Sequence, residues 1–160
     1  MTQFFESPTR VQQLIEEAER WRGTPFQDGI GRRARPGKAC DCVSFVAGTL
    51  TAVGAIGKVP WPDGYVSMHG GPEMLDMLLG ILDRIPKLRK IWTAADGVDT
   101  PELMAGDLLI GTGGKSQHHL ALFLGGNRVM HSWMKSVREG NVQDTILRKH
   151  LHSIYRCFEQ

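Results

Sequence analysis

Cys42 is the residue whose sequence surroundings best suit nucleophilic chemistry. It directly follows Asp41, a residue type that commonly caps helix N-termini, and an apolar helical pattern continues after it. Unpaired N–H groups and the positive end of the helix dipole in a first helical turn stabilise a thiolate, which is the nucleophilic form of cysteine. Cys42 is therefore predicted to be a catalytic nucleophile, and the alternative interpretation is a small buried apolar residue.

Histidines on two adjacent predicted strands could supply the base. Residues 119–131 have the pattern of a β-hairpin with a turn at 125–127. A turn centred on Gly125 would place His119 directly opposite His131, with their Cβ atoms about 5 Å apart. A shift of one residue in register would select His118 instead, and any single histidine here could be structural. The hairpin thus predicts a base, His119, and a residue that orients it, His131.

Together these residues predict acyl transfer through a thiol. His119 would take the proton of Cys42, while His131 would bind the second nitrogen of the His119 ring and fix its tautomer. The thiolate would attack an amide carbonyl to give an acyl-enzyme, His119 would protonate the departing amine, and water would release the acid. Backbone N–H groups at the start of the Cys42 helix could stabilise the oxyanion.

Helices precede strands along the chain, which indicates an α+β domain rather than alternating βαβ units. Apolar spacing predicts helices over residues 8–22, 42–53 and 72–85, and strands at 107–110, 120–124, 129–133 and 154–158. The 160 residues suit a single domain over residues 1–160. Residues from about 58 to 100 are interpreted as a helical insertion without an assigned role.

Composition excludes several classes of protein. The formal net charge is +2, from 19 basic and 17 acidic residues, which is too small to argue for a nucleic-acid or membrane partner. No apolar run has the length of a membrane span. Three cysteines, Cys40, Cys42 and Cys157, do not form the pattern of a disulfide framework. The acidic N-terminus has no signal-peptide character, so we expect cytoplasmic synthesis.

The order of several short motifs resembles the NlpC family of papain-like peptidases, which cut the peptide stems of bacterial cell walls. The resemblance covers about residues 14–53 and 101–134, and the matching segments are 21–26, 40–46, 106–109, 119–125 and 130–131. It implies a papain-like fold, with N-terminal helices packed on a central antiparallel sheet. It also implies a nucleophile at Cys42, a base at His119 and an orienting residue at His131, acting at a γ-D-glutamyl bond without a cofactor or metal.

The segment around Cys40 and Cys42, and the preceding Gly-Thr-Pro-aromatic element at 23–26, look most like the phage-tail or prophage branch of that family. In that branch the enzyme would reach the cell wall as part of a tail. The resemblance therefore implies phage-tail proteins as partners and a location on the virion tail.

Four further residues are candidates for binding substrate or the oxyanion. Phe26 occupies the position of a family tyrosine whose hydroxyl is thought to assist the oxyanion, and Tyr65 is a candidate replacement. Arg35 belongs to a basic run at 32–38 that could bind stem-peptide carboxylates, although a solvated loop is the simpler interpretation. Trp133 could line a cleft or pack in the core.

Three alternatives to a peptidase stay open at this point. The first is a thiol amidase or acyltransferase that acts on another acyl group. The second is a tail-assembly or wall-binding module with a decayed site, which the loss of a hydroxyl at Phe26 favours. The third is a zinc site, although the spacing of its candidate ligands matches no common zinc motif; those ligands are Cys40, Cys42, His118, His119 and His131.

Overall fold

The structure is a computed structural model that describes residues 1–62, 64–66, 72–113, 117–143, 147 and 149–160. Its helices are α1 (Pro8–Arg20), α2 (Cys42–Ala52) and α3 (Glu73–Asp83). Its strands are β1 (Leu88–Thr93), β2 (Leu108–Gly113), β3 (Gln117–Gly125), β4 (Arg128–Trp133), β5 (Ser136–Asn141) and β6 (Leu151–Cys157). Three-residue 3-10 helices occupy Phe4–Glu6, Gly31–Arg33 and Ala94–Asp96.

The strands form one antiparallel sheet in the order β1-β6-β2-β3-β4-β5. Helices therefore lead the chain and an antiparallel sheet follows, and the predicted α+β fold is confirmed. The section 58–100 contributes the edge strand β1 in addition to the predicted helix, and its residues 63 and 67–71 lie outside the described residues. Strand β1 was not predicted, because two adjacent exposed cations, Arg89 and Lys90, interrupt the alternation of apolar and polar residues that indicates a strand.

Helix α1 begins as its sequence predicts. Ser7 is the N-cap, and its hydroxyl accepts a hydrogen bond from the backbone N–H of Arg10 at 3.2 Å. Pro8 occupies the first helical position, where its missing N–H removes no helical hydrogen bond. The buried face carries Leu14 and Ala18, which joins α1 to the main core.

Helix α2 packs against one face of the sheet, and this contact positions Cys42. The α2 side chains Val43, Val46 and Leu50 line a small apolar space together with Leu108 of β2 and Leu120 of β3. Side chains alternate between faces along a strand, so His118, Leu120 and Leu122 lie on the α2 face of β3. Residues 119, 121 and 123 lie on the other face, where Ala121 and Phe123 belong to a second apolar cluster.

The β3–β4 register differs from the predicted one. Leu122 pairs with Met130 and Phe123 with Val129, and a bulge precedes Gly125. Continuing this register places Ala121, not His119, opposite His131, so the predicted direct opposition of the two histidines is wrong. The difference amounts to two residues, which keeps both histidines on the same face of the sheet.

A segment before α2 pairs with the outer edge of the sheet. Gly23 N–H donates to the carbonyl of Val137 at 2.9 Å, and Val137 N–H donates to the carbonyl of Thr24 at 3.0 Å. Phe26 N–H donates to the carbonyl of Lys135 at 3.0 Å, and the Phe26 backbone also bridges to Cys40. The chain that leads to Cys42 is therefore attached to β5 and the β4–β5 turn.

None of the helices in the described part of the chain has the length and apolar character that would let it cross a membrane.

Candidate active site

Cys42 is the first residue of α2, and a reciprocal cap holds the chain there. The Asp41 carboxylate accepts a hydrogen bond from Ser44 N–H at 2.8 Å, and the Ser44 hydroxyl accepts one from Asp41 N–H at 2.8 Å. The second Asp41 oxygen accepts from Gly29 N–H at 3.0 Å, so the cap also ties in the preceding loop. Burial raises the pKa of Asp41, while these hydrogen bonds act to lower it. The cap fixes Cys42, which is 2% exposed, at the positive end of the helix dipole.

The other two cysteines lie in surroundings that disfavour a thiolate. Burial raises the pKa of Cys40 to about 11 and that of Cys157 to about 12. The Cys40 thiol contacts the Ser132 hydroxyl, with Sγ and Oγ 3.7 Å apart. Ser132 lies between His131 and Trp133 in β4, so this contact brings the segment before α2 against the part of β4 that carries the predicted site residues.

His119, His131 and Trp133 form one aromatic group. The Nε2 atom of His119 lies 2.7 Å from the Nδ1 atom of His131, a hydrogen-bond distance. Trp133 packs edge-on against His119, with ring centroids 4.6 Å apart, and lies nearly parallel to His131 at 6.2 Å. Burial lowers the pKa of His119 well below its ordinary value, and the neighbouring His131 and His118 act in the same direction. His119 is therefore neutral at neutral pH, the form that a general base requires.

Tyr65 and His118 form a second buried pair beside the start of α2. The Tyr65 hydroxyl lies 2.5 Å from Nε2 of His118. Burial raises the pKa of Tyr65 far above its ordinary value, and the proximity of Cys42, then of Asp41 and Asp28, raises it further. Tyr65 is therefore close to Cys42, as its candidacy requires. Burial also lowers the pKa of His118 to about 4, so this imidazole is neutral as well.

The remaining sequence candidates lie at different distances from this group. Phe26 is half-buried and runs alongside Cys40, and its side chain brings no hydroxyl to the site. Arg35 lies apart, in a cleft on the outer side of α2, where its guanidinium donates to the carbonyls of Arg32 and Ala34. The structure thus joins His119, His131 and Trp133 in one group and Tyr65 with His118 in another, but places Arg35 elsewhere. The group of Tyr65 and His118 lies on the α2 face of β3 with Cys42, whereas His119 lies on the other face.

Two features of the site escaped the sequence analysis. The reciprocal cap between Asp41 and Ser44 is readable in principle, because a capping box has a fixed three-residue spacing. The pairing of Tyr65 with His118 has no sequence signal, since 53 positions separate the two residues. Among the described residues, no group of three or more His, Cys, Asp or Glu side chains is arranged to hold a metal ion.

Comparison with known proteins identifies the same family as the sequence motifs. The model of the NlpC/P60 family matches residues 23–156, whereas no curated protein matches the chain. The solved structures that resemble it include the NlpC/p60 domain of the peptidoglycan hydrolase SagA, with 18% identity and a TM-score of 0.50, over 90% of this chain and 96% of that one.

Two further similar structures come from named bacteria. One is a protein described as similar to a lipoprotein of the NLP/P60 family from Staphylococcus aureus, with 18% identity, a TM-score of 0.60 and coverage of 100% of this chain and 45% of that one. The other is an NlpC/P60 family protein from Bacillus cereus, with 20% identity, a TM-score of 0.56 and coverage of 92% and 40%. This chain spans less than half of each of these two proteins. The family match over residues 23–156 confirms the resemblance found in the motifs: the chain belongs to the NlpC/P60 family.

Proposed function

We propose that this protein is a cysteine hydrolase that cleaves an amide bond in peptidoglycan stem peptides, with Cys42 as nucleophile, His119 as base and His131 as the orienting residue. The observations that support the proposal are the hydrogen-bonded imidazole pair of His119 and His131 and a helix N-terminus that begins with a cysteine. His118, which lies on the α2 face of β3, is the alternative base. Members of the NlpC/P60 family are generally cysteine hydrolases, which supports the same chemistry.

The imidazole pair can leave one nitrogen of His119 ready to accept a proton. A neutral imidazole carries one N–H, and in the proposed tautomer that proton lies on Nε2 of His119, which donates it to Nδ1 of His131. The lone pair on Nδ1 is then available to take the thiol proton of Cys42. Trp133 packs edge-on against His119 beside this hydrogen bond.

In the proposed reaction, the Cys42 thiolate forms a C–S bond with the substrate carbonyl carbon while the C=O π electrons move to oxygen. The tetrahedral intermediate then collapses, the C–N bond breaks, and the amine leaves with the proton that His119 holds. A water molecule next loses a proton to His119 and attacks the thioester carbonyl. The C–S bond breaks, the acid leaves, and the thiol regains its proton.

We further propose that the Tyr65 hydroxyl donates to the oxyanion, in place of the hydroxyl that Phe26 lacks. His118 decides whether that hydroxyl is available, because Tyr65 cannot donate to His118 and to the oxyanion with the same proton. The Nδ1 atom of His118 is buried and has no hydrogen-bond partner among the described residues. A buried N–H without an acceptor is rarer in proteins than an acceptor without a donor. This favours the proton on Nε2, which then donates to the Tyr65 oxygen and leaves the Tyr65 O–H for the oxyanion.

The choice of substrate rests on similarity. SagA is described as a peptidoglycan hydrolase, and its domain has the same fold as this chain. The γ-D-glutamyl bond and attachment to a phage tail follow from the motif resemblance, and both belong to the proposal. Because this chain spans less than half of the proteins from Staphylococcus aureus and Bacillus cereus, their overall activities are not transferred to it.

The test combines thiol reactivity with product analysis. Site-resolved alkylation by iodoacetamide from pH 4 to 9 should label Cys42 faster than Cys40 and Cys157 at mildly acidic pH. Purified peptidoglycan peptides should be cleaved by the parent protein and left intact by Cys42→Ala. Three equally slow thiols, together with no cleavage, would overturn the proposal.

A second candidate is a wall-binding module with a decayed site, which the phenylalanine at position 26 favours. That function predicts binding to cell-wall sacculi by the parent and by Cys42→Ala alike, with no cleavage by either. An amidase or acyltransferase would instead transfer the acyl group to a supplied amine, and the same product analysis would detect the adduct.

A further inference from the structure

A cleft of about 660 Å³ lies on the outer side of α2, opposite the face that packs on the sheet. Its floor is the α2 surface from Ser44 to Ala52, and its walls are the end of α1, the loop from Gly31 to Pro36 and the segment from Lys58 to Trp61. Cys42, His119 and His131 are absent from this lining. The cleft is therefore distinct from the candidate active site, although Ser44 belongs both to its floor and to the cap of α2.

Trp21 shapes the floor and leaves one polar group without a partner. A Cβ atom at Gly48 would lie 2.6 Å from the Trp21 ring, so the absence of a side chain at Gly48 allows the indole to pack against α2. Trp21 is 4% exposed, and its Nε1 has no hydrogen-bond acceptor among the described residues. An unpartnered buried donor is costly, and a ligand acceptor that reached it would remove that cost.

Three cations at the cleft have no ion-pair partner among the described residues: Arg32, Arg35 and Lys58. Arg20 also lines the cleft, but it is paired with Glu17 at 2.9 Å. The Arg35 guanidinium is held by hydrogen bonds from Nη1 to the carbonyls of Arg32, at 2.9 Å, and Ala34, at 2.7 Å. Its remaining N–H groups are thereby oriented in advance, which suits the binding of a carboxylate.

The other lining groups are mainly apolar or already bonded. Trp61 contributes a half-buried ring, close to Gly31, where a Cβ atom would lie 3.8 Å from the indole. The Ser44 hydroxyl is bonded to Asp41, and the Thr51 hydroxyl donates to the carbonyl of Gly57 at 3.2 Å. A glycan would bring many hydroxyl groups into a cleft with few unused partners, whereas a peptide with apolar and acidic side chains would match it.

We propose that this cleft is a second binding site that takes an acidic peptide segment. An apolar side chain of the peptide packs against the half-buried ring of Trp61, and its carboxylates pair with Arg32 and Arg35. Binding here requires neither Cys42 nor the histidines, so the proposal stands independently of the hydrolase function.

The probe is the synthetic peptide acetyl-Ala-Glu-Leu-Asp-Ala, with a neutral control in which Gln and Asn replace the acidic residues and the C-terminus is amidated. Binding is followed by fluorescence titration at low salt and by the indole N–H resonance of Trp21. The acidic peptide should bind and shift that resonance, and the parent and Cys42→Ala should bind it equally. Arg35→Ala should weaken binding at least about tenfold, because a charge-assisted bidentate contact is lost.

Arg33→Ala is the matched control, since Arg33 has the same charge in the same loop but does not line the cleft. It should leave the affinity unchanged. Equal binding of the neutral peptide, equal weakening by Arg33→Ala, or equal displacement by inorganic phosphate would each overturn the assignment to an acidic peptide. The two proposals fail in different ways. If only the hydrolase proposal is wrong, the parent and Cys42→Ala still bind the acidic peptide. If this site is wrong, neither protein binds it.

Discussion

The Nε2 atom of His119 and the Nδ1 atom of His131 lie 2.7 Å apart, although the two residues are not directly opposed in the sheet. The rings meet diagonally across β3 and β4, and Trp133 packs edge-on against His119. One hydrogen bond therefore fixes the orientation of a buried imidazole. This relationship makes the role of each ring testable by substitution.

Replacing His119 should slow the alkylation of Cys42. Without a base to hold the thiol proton, the thiolate fraction of Cys42 at pH 6 falls. We therefore expect the alkylation rate of Cys42 in His119→Ala to be lower than in the parent by a factor on the order of ten or more. His118→Ala is the matched comparison, since it removes the neighbouring imidazole, which lies on the α2 face of β3 and is the alternative base. A larger loss in His118→Ala than in His119→Ala would reassign the base to His118.

Replacing His131 should affect turnover more than substrate binding. In His131→Ala the His119 ring loses the partner that fixes its tautomer, and kcat should fall by about 10²-fold or more with little change in KM. His131→Asn can still accept the hydrogen bond through its amide oxygen and should retain more activity. His152→Ala on β6 serves as the control, and equal kinetics for the Ala and Asn variants would contradict the orienting role.

Removing the Tyr65 hydroxyl should lower kcat without unfolding the protein. If Tyr65 donates to the oxyanion, Tyr65→Phe should cost about 10²-fold in kcat. Tyr155 is the control: its hydroxyl donates to Asp83 at 2.7 Å, so Tyr155→Phe should reduce stability and leave kcat intact. Phe26→Tyr should restore part of the activity of Tyr65→Phe, and unchanged kcat in Tyr65→Phe would remove Tyr65 from the mechanism.

Acid should destabilise the fold partly through His118. Its pKa is lowered from 6.5 to about 4 by burial, so the unfolded chain binds more protons between these values. The free energy of unfolding should therefore fall as pH drops from about 6.5 to about 4, by up to about 3 kcal/mol from this group. Urea denaturation at pH 7 and at pH 4 measures this decrease in the free energy of unfolding. The loss should be smaller in His118→Gln and unchanged in a variant of the exposed His150.

The sequence predicted the helix that carries the nucleophile because the signals there are local. Asp41 caps the helix through its own side chain, and apolar positions such as Val46 and Leu50 repeat at helical spacing on the buried face. The strands β3 and β4 were also predicted, since their core positions are strongly apolar. Edge strands β1 and β5 were missed, because exposed charges interrupt their alternation.

The details that depend on tertiary packing could not be predicted. The β3–β4 pairing differs from the predicted one by two residues, because Gly125 pairs with Arg128 across the turn and a bulge lies between Phe123 and Gly125, and no residue type announces that difference. The contact between Tyr65 and His118 joins distant segments, so it follows from the completed fold. The sequence left open whether Arg35 binds substrate carboxylates or belongs to a solvated loop, and only the structure shows that it lines a cleft away from Cys42.

The hydrogen bonds from residues 23–26 to β5 and the β4–β5 turn have a consequence for solubility. Unpaired backbone groups on a terminal strand can recruit a strand from another molecule and begin aggregation. Here the loop that leads to Cys42 occupies part of that edge, with Gly23, Thr24 and Phe26 as its bonding residues. The segment that presents the nucleophile therefore also shields the sheet from self-association, so a substitution that released it would promote aggregation as well as disturb the site.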